Sequence, residues 1–306
     1  MDKNKSDIRC TKCGSSNVGR HTFRINVNKK PNIRYRCYNC NTQFTYYDSE
    51  LITRIVAISD LHCGHENGMV DEERLDHAND FQKELFKWFV NQISLIGSPD
   101  IVIANGDLID GRQDKSGGSE LIVSDRLIQA EMASNVLKMF NAKKYYITRG
   151  TPYHTGKLEE FENLTAKLLN AEFIGEELRL VVNKTLVYAR HKVGNAVLPY
   201  SYFTSPARNL MFDSIKNAHK ENPMNIGIAL YAHVHRFSQS INSFGQTAIT
   251  MPAMQGYSKY GGRECDGIGI NIGFLVIDVF DNGTFNVDLK QAKLKTMNVE
   301  PLVFNS

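Results

Sequence analysis

Six side chains of the kind that bind metal ions each follow a short apolar run in this 306-residue chain. Asp60 and His62 close RIVAISDLH, Asp107 closes DIVIANGD, His191 closes TLVYARH, and His233 and His235 close IGIALYAHVH. Each run reads as a buried strand. In an open α/β sheet, functional groups collect beyond the carboxyl ends of the strands. A fold that aligns these strand ends therefore brings residues distant in sequence to one edge. Taken singly, an Asp-x-His or a histidine near a strand end is ordinarily a hydrogen-bonded structural group. Five motifs in order, each after a strand, point instead to metal.

The donor set narrows the chemistry. Carboxylate and imidazole together suit Mn²⁺, Fe²⁺ or Zn²⁺ better than Mg²⁺, which prefers oxygen. A single carboxylate can bridge two cations, and a bridged pair can clamp a phosphoryl group and lower the pKa of bound water. In-line attack on phosphorus by the resulting hydroxide is the reaction such a pair supports.

Strands and helices alternate from about residue 51. RIVAISD, DIVIANGD and KKYYITRG read as strands. FQKELFKWFVNQISLI, SELIVSDRLIQAEMASNVLKMF and LEEFENLTAKLLNAEF read as the helices between and after them. Phe81, Leu85, Trp88, Phe89 and Ile93 mark one face of the first helix. After residue 178 come the shorter strands LRLVVN, TLVYARH and IGIALYAH, a hairpin-like SQSINSFGQTAITM, and a clear hairpin turning at Asp281-Asn282-Gly283. A βα first half and a β-rich second half predict an α/β protein of two packed mixed sheets with helices outside.

Charge is unevenly placed. Residues 1–50 carry ten Lys and Arg against four Asp and Glu, a net +6, and the remainder carries 26 against 29, a net −3. Such a head fits a polyanionic partner, with a solvated basic surface as the plainer reading. Four of the six cysteines lie in this head as Cys10-x-x-Cys13 and Cys37-x-x-Cys40. Two paired knuckles around a hairpin-length spacer suit one tetrahedral structural Zn²⁺, and Gly14 helps the first tight turn. About fifty residues bury little core, so the metal would supply most of the folding energy. The N-terminus lacks the apolar core of a secretory signal, and no apolar run approaches the roughly 18 residues of a membrane span. The expected location is cytoplasmic, away from membranes, where disulfides are the weaker alternative to zinc. The division expected is a ribbon over 1–50 and a catalytic domain over 51–306, with the boundary near Tyr47–Leu51.

These motifs carry two resemblances. CTKCGSSNVGRHTF and RYRCYNCNTQFTY resemble the zinc ribbons at the front of some transposases and other DNA-associated proteins. Arg34, Tyr35, Arg36 and Tyr38 there interleave cations with rings, a composition suited to phosphates and exposed bases. The body resembles the calcineurin-like metallophosphoesterases, whose motifs are D-x-H, GD, GNH, H and G-H-x-H. Here they read Asp60-Leu61-His62, Gly106-Asp107, Gly150-Thr151…His154, His191 and Ala232-His233-Val234-His235, and the likeness covers most of residues 52–280. It implies a double β-sheet sandwich flanked by helices (α/β/β/α). It also implies two divalent metals, Mn²⁺ ahead of Fe²⁺ or Zn²⁺. Asp60, His62 and His235 would bind the first, His191 and His233 the second, and Asp107 would bridge.

The third motif departs from that pattern. Thr151 stands where the family has Asn, with two residues inserted before His154, and Pro152 fixes φ and removes an amide donor. Thr151 could contact metal or substrate. His154 is read as functional, either as general acid or as a replacement ligand; a weak second site and a slow enzyme is the third reading. The stretches DGRQDKSGGSEL and GTPYHTGKLEEFENL are similar to a phage and prophage branch of the family.

Substrate contacts are expected from His65, Arg112 and Tyr257, with structural roles as the alternative for His65 and Tyr257 and a plain surface role for Arg112. Tyr260, Lys259 and Arg263 could join Tyr257 against a base, and 115–119 reads as a substrate-side loop. Cys63 reads as packed, and Asp110 follows the bridging carboxylate. The leading function is a two-metal phosphodiesterase or nuclease on nucleic acid, DNA ahead of RNA. The alternatives are a phosphatase or phosphodiesterase for small substrates, and a non-catalytic DNA-binding protein with a structural metal centre. Nuclease relatives often pair up, which makes a homodimer an expectation, although no segment identifies itself as its surface.

Overall fold

The computed structural model describes residues 9–26, 29–46, 52–114, 116–155, 161–194, 198, 201–258 and 269–294. The chain forms two compact units, Met1–Ile52 and Thr53–Ser306.

The N-terminal unit is an antiparallel sheet of β1 (Val18–Asn26), β2 (Lys29–Cys37) and β3 (Gln43–Tyr46), in that order. Its described core is Cys10, Tyr35, Cys37 and Phe44, with Val18 and Cys40 packed against it. Tyr35, expected on a surface of cations and rings, is buried and stacks on Phe44 at 6.0 Å between centroids. Tyr38 is the exposed ring of that group, at 63%. Tyr35 and Cys37 share one face of β2, and Tyr38 falls in the turn that follows the strand.

The second unit is layered helix–sheet–sheet–helix, as its strand and helix order predicted. In chain order it contains β4 (Ile52–Ile58), α1 (Asp80–Ile96), β5 (Ile101–Asn105), α2 (Arg126–Lys138), β6 (Lys144–Thr148), α3 (Pro152–Thr155), α4 (Phe161–Leu169) and β7 (Phe173–Gly175). There follow β8 (Leu178–Val182), β9 (Thr185–Lys192), α5 (Thr204–Ala218), β10 (Ile226–Ala232), β11 (Ser238–Ile241), β12 (Thr247–Thr250), β13 (Ile272–Phe280) and β14 (Phe285–Ala292). One sheet runs β14-β13-β4-β5-β6-β7 and the other β11-β12-β10-β9-β8. Strands β4 to β7 are parallel, as are β9, β10 and β12, so their carboxyl ends point one way within each sheet.

Alternation along the central strands builds the layers. Ile55 and Ala57 of β4, with Ile101 and Ile103 of β5, meet Val187, Ala189, Ile228 and Leu230 of the second sheet. Val56, Ile58, Val102 and Ala104 face the other way, onto Leu85 and Phe89 of α1 and Ala133 and Val136 of α2. Tyr188, Ala229 and Tyr231 pack with Leu210 of α5 on the outer face of the second sheet. No helix among the described residues is long and apolar enough to cross a membrane.

Local signals set the helix ends. Asn79 and Gln82 form a reciprocal capping box at α1, which stops at Gly97 with φ +70°. One expectation fails here, and one helix was not foreseen. The helix expected over 119–140 begins only at Arg126, because the Asp125 carboxylate caps it by accepting from the Leu127 amide; residues before it form a loop beside His65. Helix α5 carries no matching sequence expectation.

Candidate metal centre

The aligned strand ends bring the six donors together as two triads. In the first, His235 Nε2 lies 3.3 Å from Asp60 Oδ1 and 3.3 Å from His62 Nε2, and His62 Nε2 is 3.9 Å from the same carboxylate oxygen. In the second, His191 Nε2 is 2.9 Å and His233 Nδ1 3.8 Å from Asp107 Oδ2. The triads adjoin, since His191 Nε2 is also 3.9 Å from Asp60 Oδ1.

Backbone conformation aims these side chains. Asp60, His62, Asp107, His233 and His235 all have positive φ, between 44° and 78°; His191 alone remains in its strand. Five left-handed residues at strand ends turn side chains that would otherwise alternate across the sheets into one space. Asp and His enter this region more readily than most residues, yet each such position costs of order 1–3 kcal/mol. The surrounding loops hold them there. The Asp60 amide donates to Gly106 O at 3.0 Å and the His62 amide to Asp107 O at 3.1 Å, lacing the loop after β4 to the loop after β5. A side chain at Gly106 would collide with the His191 ring, its Cβ falling 2.5 Å from Nδ1.

The imidazoles are oriented from behind. His62 Nδ1 donates to Asp110 Oδ1 at 3.0 Å, and Gln113 Nε2 holds the other Asp110 oxygen at 2.6 Å. His191 Nδ1 donates to Asn105 O at 2.7 Å. Each ring thereby turns Nε2 toward the carboxylates, the arrangement that fixes a ligating histidine's tautomer. Asn105 escapes a reading of IVIAN as a plain apolar strand. Fully buried, its side chain accepts from Thr148 and reaches Leu230 O on the other sheet at 3.4 Å.

The charge state of this cluster favours cations. Burial would raise Asp60, but the charges of His235 and His191 bring it down to about 2. Asp107 is likewise held well below the carboxylate range, against burial, by His191 and His154. Burial, with the charge of His154, lowers His62 to about 4. Burial also opposes charge on His191, but Asp107 and Asp60 raise it to about 10. Asp60 Oδ1 and His191 Nε2 are buried without a hydrogen bond, the latter despite its 2.9 Å approach to Asp107. Two orphaned atoms of opposite character, amid facing imidazole nitrogens, fit a space built for metal ions.

The loop after β6 closes over Asp107. The Thr151 amide donates to Asp107 Oδ1 at 2.6 Å, and its hydroxyl lies 3.2 and 3.3 Å from the two carboxylate oxygens. His154, on α3, donates through Nδ1 to Asp110 O at 2.7 Å and lies edge-on to His62. Its nitrogen groups with His62 and Asp110 and joins neither triad. Glu162 of α4, unremarked in the sequence, accepts from the Leu108 amide at 2.9 Å and the Gly150 amide at 2.8 Å.

A cavity of about 840 Å³ opens over both triads. Arg149, Arg190, Lys192 and Arg236 line it with Tyr153, His154 and Tyr257. His65 also lines it, but is buried, with Nδ1 accepting from the Asn67 amide at 2.8 Å. Ser116 of the glycine-rich loop borders it, whereas Arg112 is exposed and not among the lining residues. Cys63 is fully buried, and burial pushes its thiol well up, as suits packing. Lys115, Lys259, Tyr260 and Arg263 lie outside the described residues.

In the N-terminal unit Cys10, Cys13, Cys37 and Cys40 converge, with Sγ atoms 3.5 Å apart for Cys10 and Cys40 and 3.6 Å for Cys13 and Cys37. These are free thiols, and a tetrahedron with Zn–S of about 2.3 Å has edges close to these distances. The Lys12 amide points at Cys10 Sγ at 3.4 Å. The Thr42 hydroxyl and amide lower Cys40 to about 6, favouring thiolate.

A layered sandwich with two adjoining carboxylate–imidazole triads in one open cavity defines a metal-dependent hydrolase. Residues 53–237 match the family described as calcineurin-like phosphoesterase, and the chain belongs to that family. Among solved structures it is similar to Entamoeba histolytica Vps29 complexed with Zn²⁺, at 12% identity over 78% of this chain and 99% of that one, with TM-score 0.39. It is also similar to an archaeal phosphodiesterase at 12% identity over 78% and 100%, with TM-score 0.43. A dimetal phosphatase from Danio rerio is similar at 9% identity over 80% and 98%, with TM-score 0.41. No curated protein matches the chain.

Proposed function

We propose that the protein is a two-metal phosphodiesterase that cuts nucleic acid, DNA ahead of RNA. The observation that carries this reading is the cationic and aromatic wall of the cavity over the triads. Its guanidinium groups are held by their own neighbours. Arg190 donates to Asp213 at 3.1 Å, Arg149 donates to Asn163 at 3.1 Å, and Arg236 lies 4.3 Å over the Tyr202 ring. Guanidinium groups fixed in this way suit successive phosphates, and Tyr153 and Tyr257 suit base faces.

Asp60, His62 and His235 would hold one cation and His191 and His233 the other, with Asp107 reaching both. Mn²⁺ stands ahead of Fe²⁺ and Zn²⁺. When bound, the pair supplies Lewis acidity to the phosphoryl group and a water of lowered pKa. The chain's own groups do the rest. The arginines orient the phosphodiester backbone. His154, its Nδ1–H engaged by Asp110 O, keeps Nε2 for holding a proton destined for the leaving oxygen. That engagement of Nδ1 favours His154 as general acid over replacement ligand. Thr151 orients Asp107 through its amide and hydroxyl. The four cysteines would hold a structural Zn²⁺, and the +6 charge of residues 1–50 with exposed Tyr38 supports a nucleic-acid-binding role.

The test is cleavage of end-labelled single- and double-stranded DNA and RNA with Mn²⁺. Metal-dependent cutting abolished by Asp107→Asn is the expected result. No cutting of any polymer, with p-nitrophenyl esters still hydrolysed, would move the substrate to small phosphoesters.

A further inference from the structure

Glu162 is a buried carboxylate close to the buried carboxylate of Asp107, a costly arrangement. Burial and then the Asp107 charge raise its pKa to about 7. Its contacts show what it accomplishes. The two oxygens are divided between two loops: Oε1 accepts from the Leu108 amide, the residue after Asp107, and Oε2 accepts from the Gly150 amide, the residue before Thr151. Thr151 then donates its amide to Asp107 Oδ1 at 2.6 Å. The hydrogen bonds close a ring through Asp107, Leu108, Glu162, Gly150 and Thr151, centred on the bridging carboxylate.

Two further features fit a ring that must close tightly. A Cβ on Gly150 would fall 2.1 Å from Asp107 Oδ1 and 2.2 Å from the Asp107 amide nitrogen, so only glycine permits the approach. Glu162 is itself anchored, because α4 packs on α2 through Ala166 and donates the Thr165 hydroxyl to Ala130 O at 3.2 Å.

We propose that Glu162 is a positioning residue for the two-metal centre: it clips the Asp107 loop to the Thr151 loop and so fixes the bridging carboxylate between the triads. A carboxylate suits the task because both oxygens accept, whereas an amide side chain offers one acceptor and would turn a donor toward a second donor. The inference rests on the two-metal reading above.

The test uses the whole 306-residue chain with zinc kept in its four-cysteine site, titrated with Mn²⁺, an ion that thiolates bind poorly. Affinity and stoichiometry are read by calorimetry, and coupling between bound ions by electron paramagnetic resonance. Glu162→Gln and Glu162→Asp, which shortens the reach by one methylene, should each weaken binding of at least one ion by about tenfold or more. They should also diminish the signature of a coupled pair and lower kcat on bis(p-nitrophenyl) phosphate with KM little changed. Ala166→Gly destabilises α4 while leaving the clip intact, and should keep wild-type affinity and coupling. Wild-type Mn²⁺ affinity and coupling in either Glu162 variant would overturn the proposal. So would an equal loss in Ala166→Gly, which would reduce Glu162 to a part of helix stability. A wild-type protein that bound no Mn²⁺ would overturn the two-metal reading itself, and the inference with it.

Discussion

The N-terminal unit has a described core of Cys10, Tyr35, Cys37 and Phe44, whereas the body encloses three hydrophobic layers, one joining Phe89, Phe140 and Phe274 edge to edge. The difference decides what each cluster of metal donors does. In the first unit the donors are half the core, come from two tight turns and form a closed set of four. In the body the layers stand without them, and the donors project from four strand ends into an open cavity. One cluster is built to be completed by an ion, while the other is shaped beforehand, with left-handed backbone and buried charge as its cost.

The strongest way to break this comparison is to remove the ions. Chelation, or Cys37→Ser, should unfold the N-terminal unit outright, since structural zinc contributes on the order of 10–16 kcal/mol in zinc-finger peptides. The body should keep its own cooperative transition, followed by NMR and circular dichroism. Simultaneous loss of both would contradict the contrast. Next in size, Asp107→Asn should lower kcat/KM on bis(p-nitrophenyl) phosphate by about 10³-fold or more, because several kcal/mol of transition-state stabilisation by the metals are lost.

A smaller effect sharpens the role of His154. His154→Ala should slow a nucleotide diester by about 10²-fold, within the range for a lost general acid. A p-nitrophenyl ester, whose leaving group needs no proton, should suffer much less; equal losses would indicate a ligand. The smallest effect is in pH. Below about 10 the metal-free His191 ring keeps its proton, which a cation must displace. Mn²⁺ affinity should therefore rise with pH, by up to about tenfold per unit between pH 6 and 8. Calorimetry in buffers of different ionisation heat should show close to one proton released from this site. In the absence of metal the sign reverses: this raised pKa stabilises the fold most fully below pH 6.5 and the benefit fades as pH rises through about 10.

Much of the body was legible because its signals are local. The apolar runs ending in Asp60, Asp107, His191 and His233 are strands, and their parallel order puts the donors together. Helix α5 was silent for a physical reason. It buries Ser205, Pro206, Asp213 and Asn217 and exposes Met211, Phe212 and Ile215, which inverts the usual periodicity. Its Asp213 carboxylate is matched by Tyr231 and Arg190, partners from distant strands that periodicity does not reveal. Leu121 and Ile122 suggested more helix than forms, because apolar residues crossing a loop look locally like a helical face. Asn105 and Glu162 carry no motif; each acts through backbone groups brought near only by the assembled fold. The left-handed conformations of the donors were likewise invisible, since Asp and His, unlike glycine, do not announce them.

The most direct test of the central claim is anomalous diffraction at the manganese edge from crystals of the 306-residue chain grown with Mn²⁺. The account predicts two peaks in the body, one bonded by Asp60, His62 and His235 and the other by His191 and His233, with Asp107 reaching both. A single peak, or none within reach of Asp107, would contradict it.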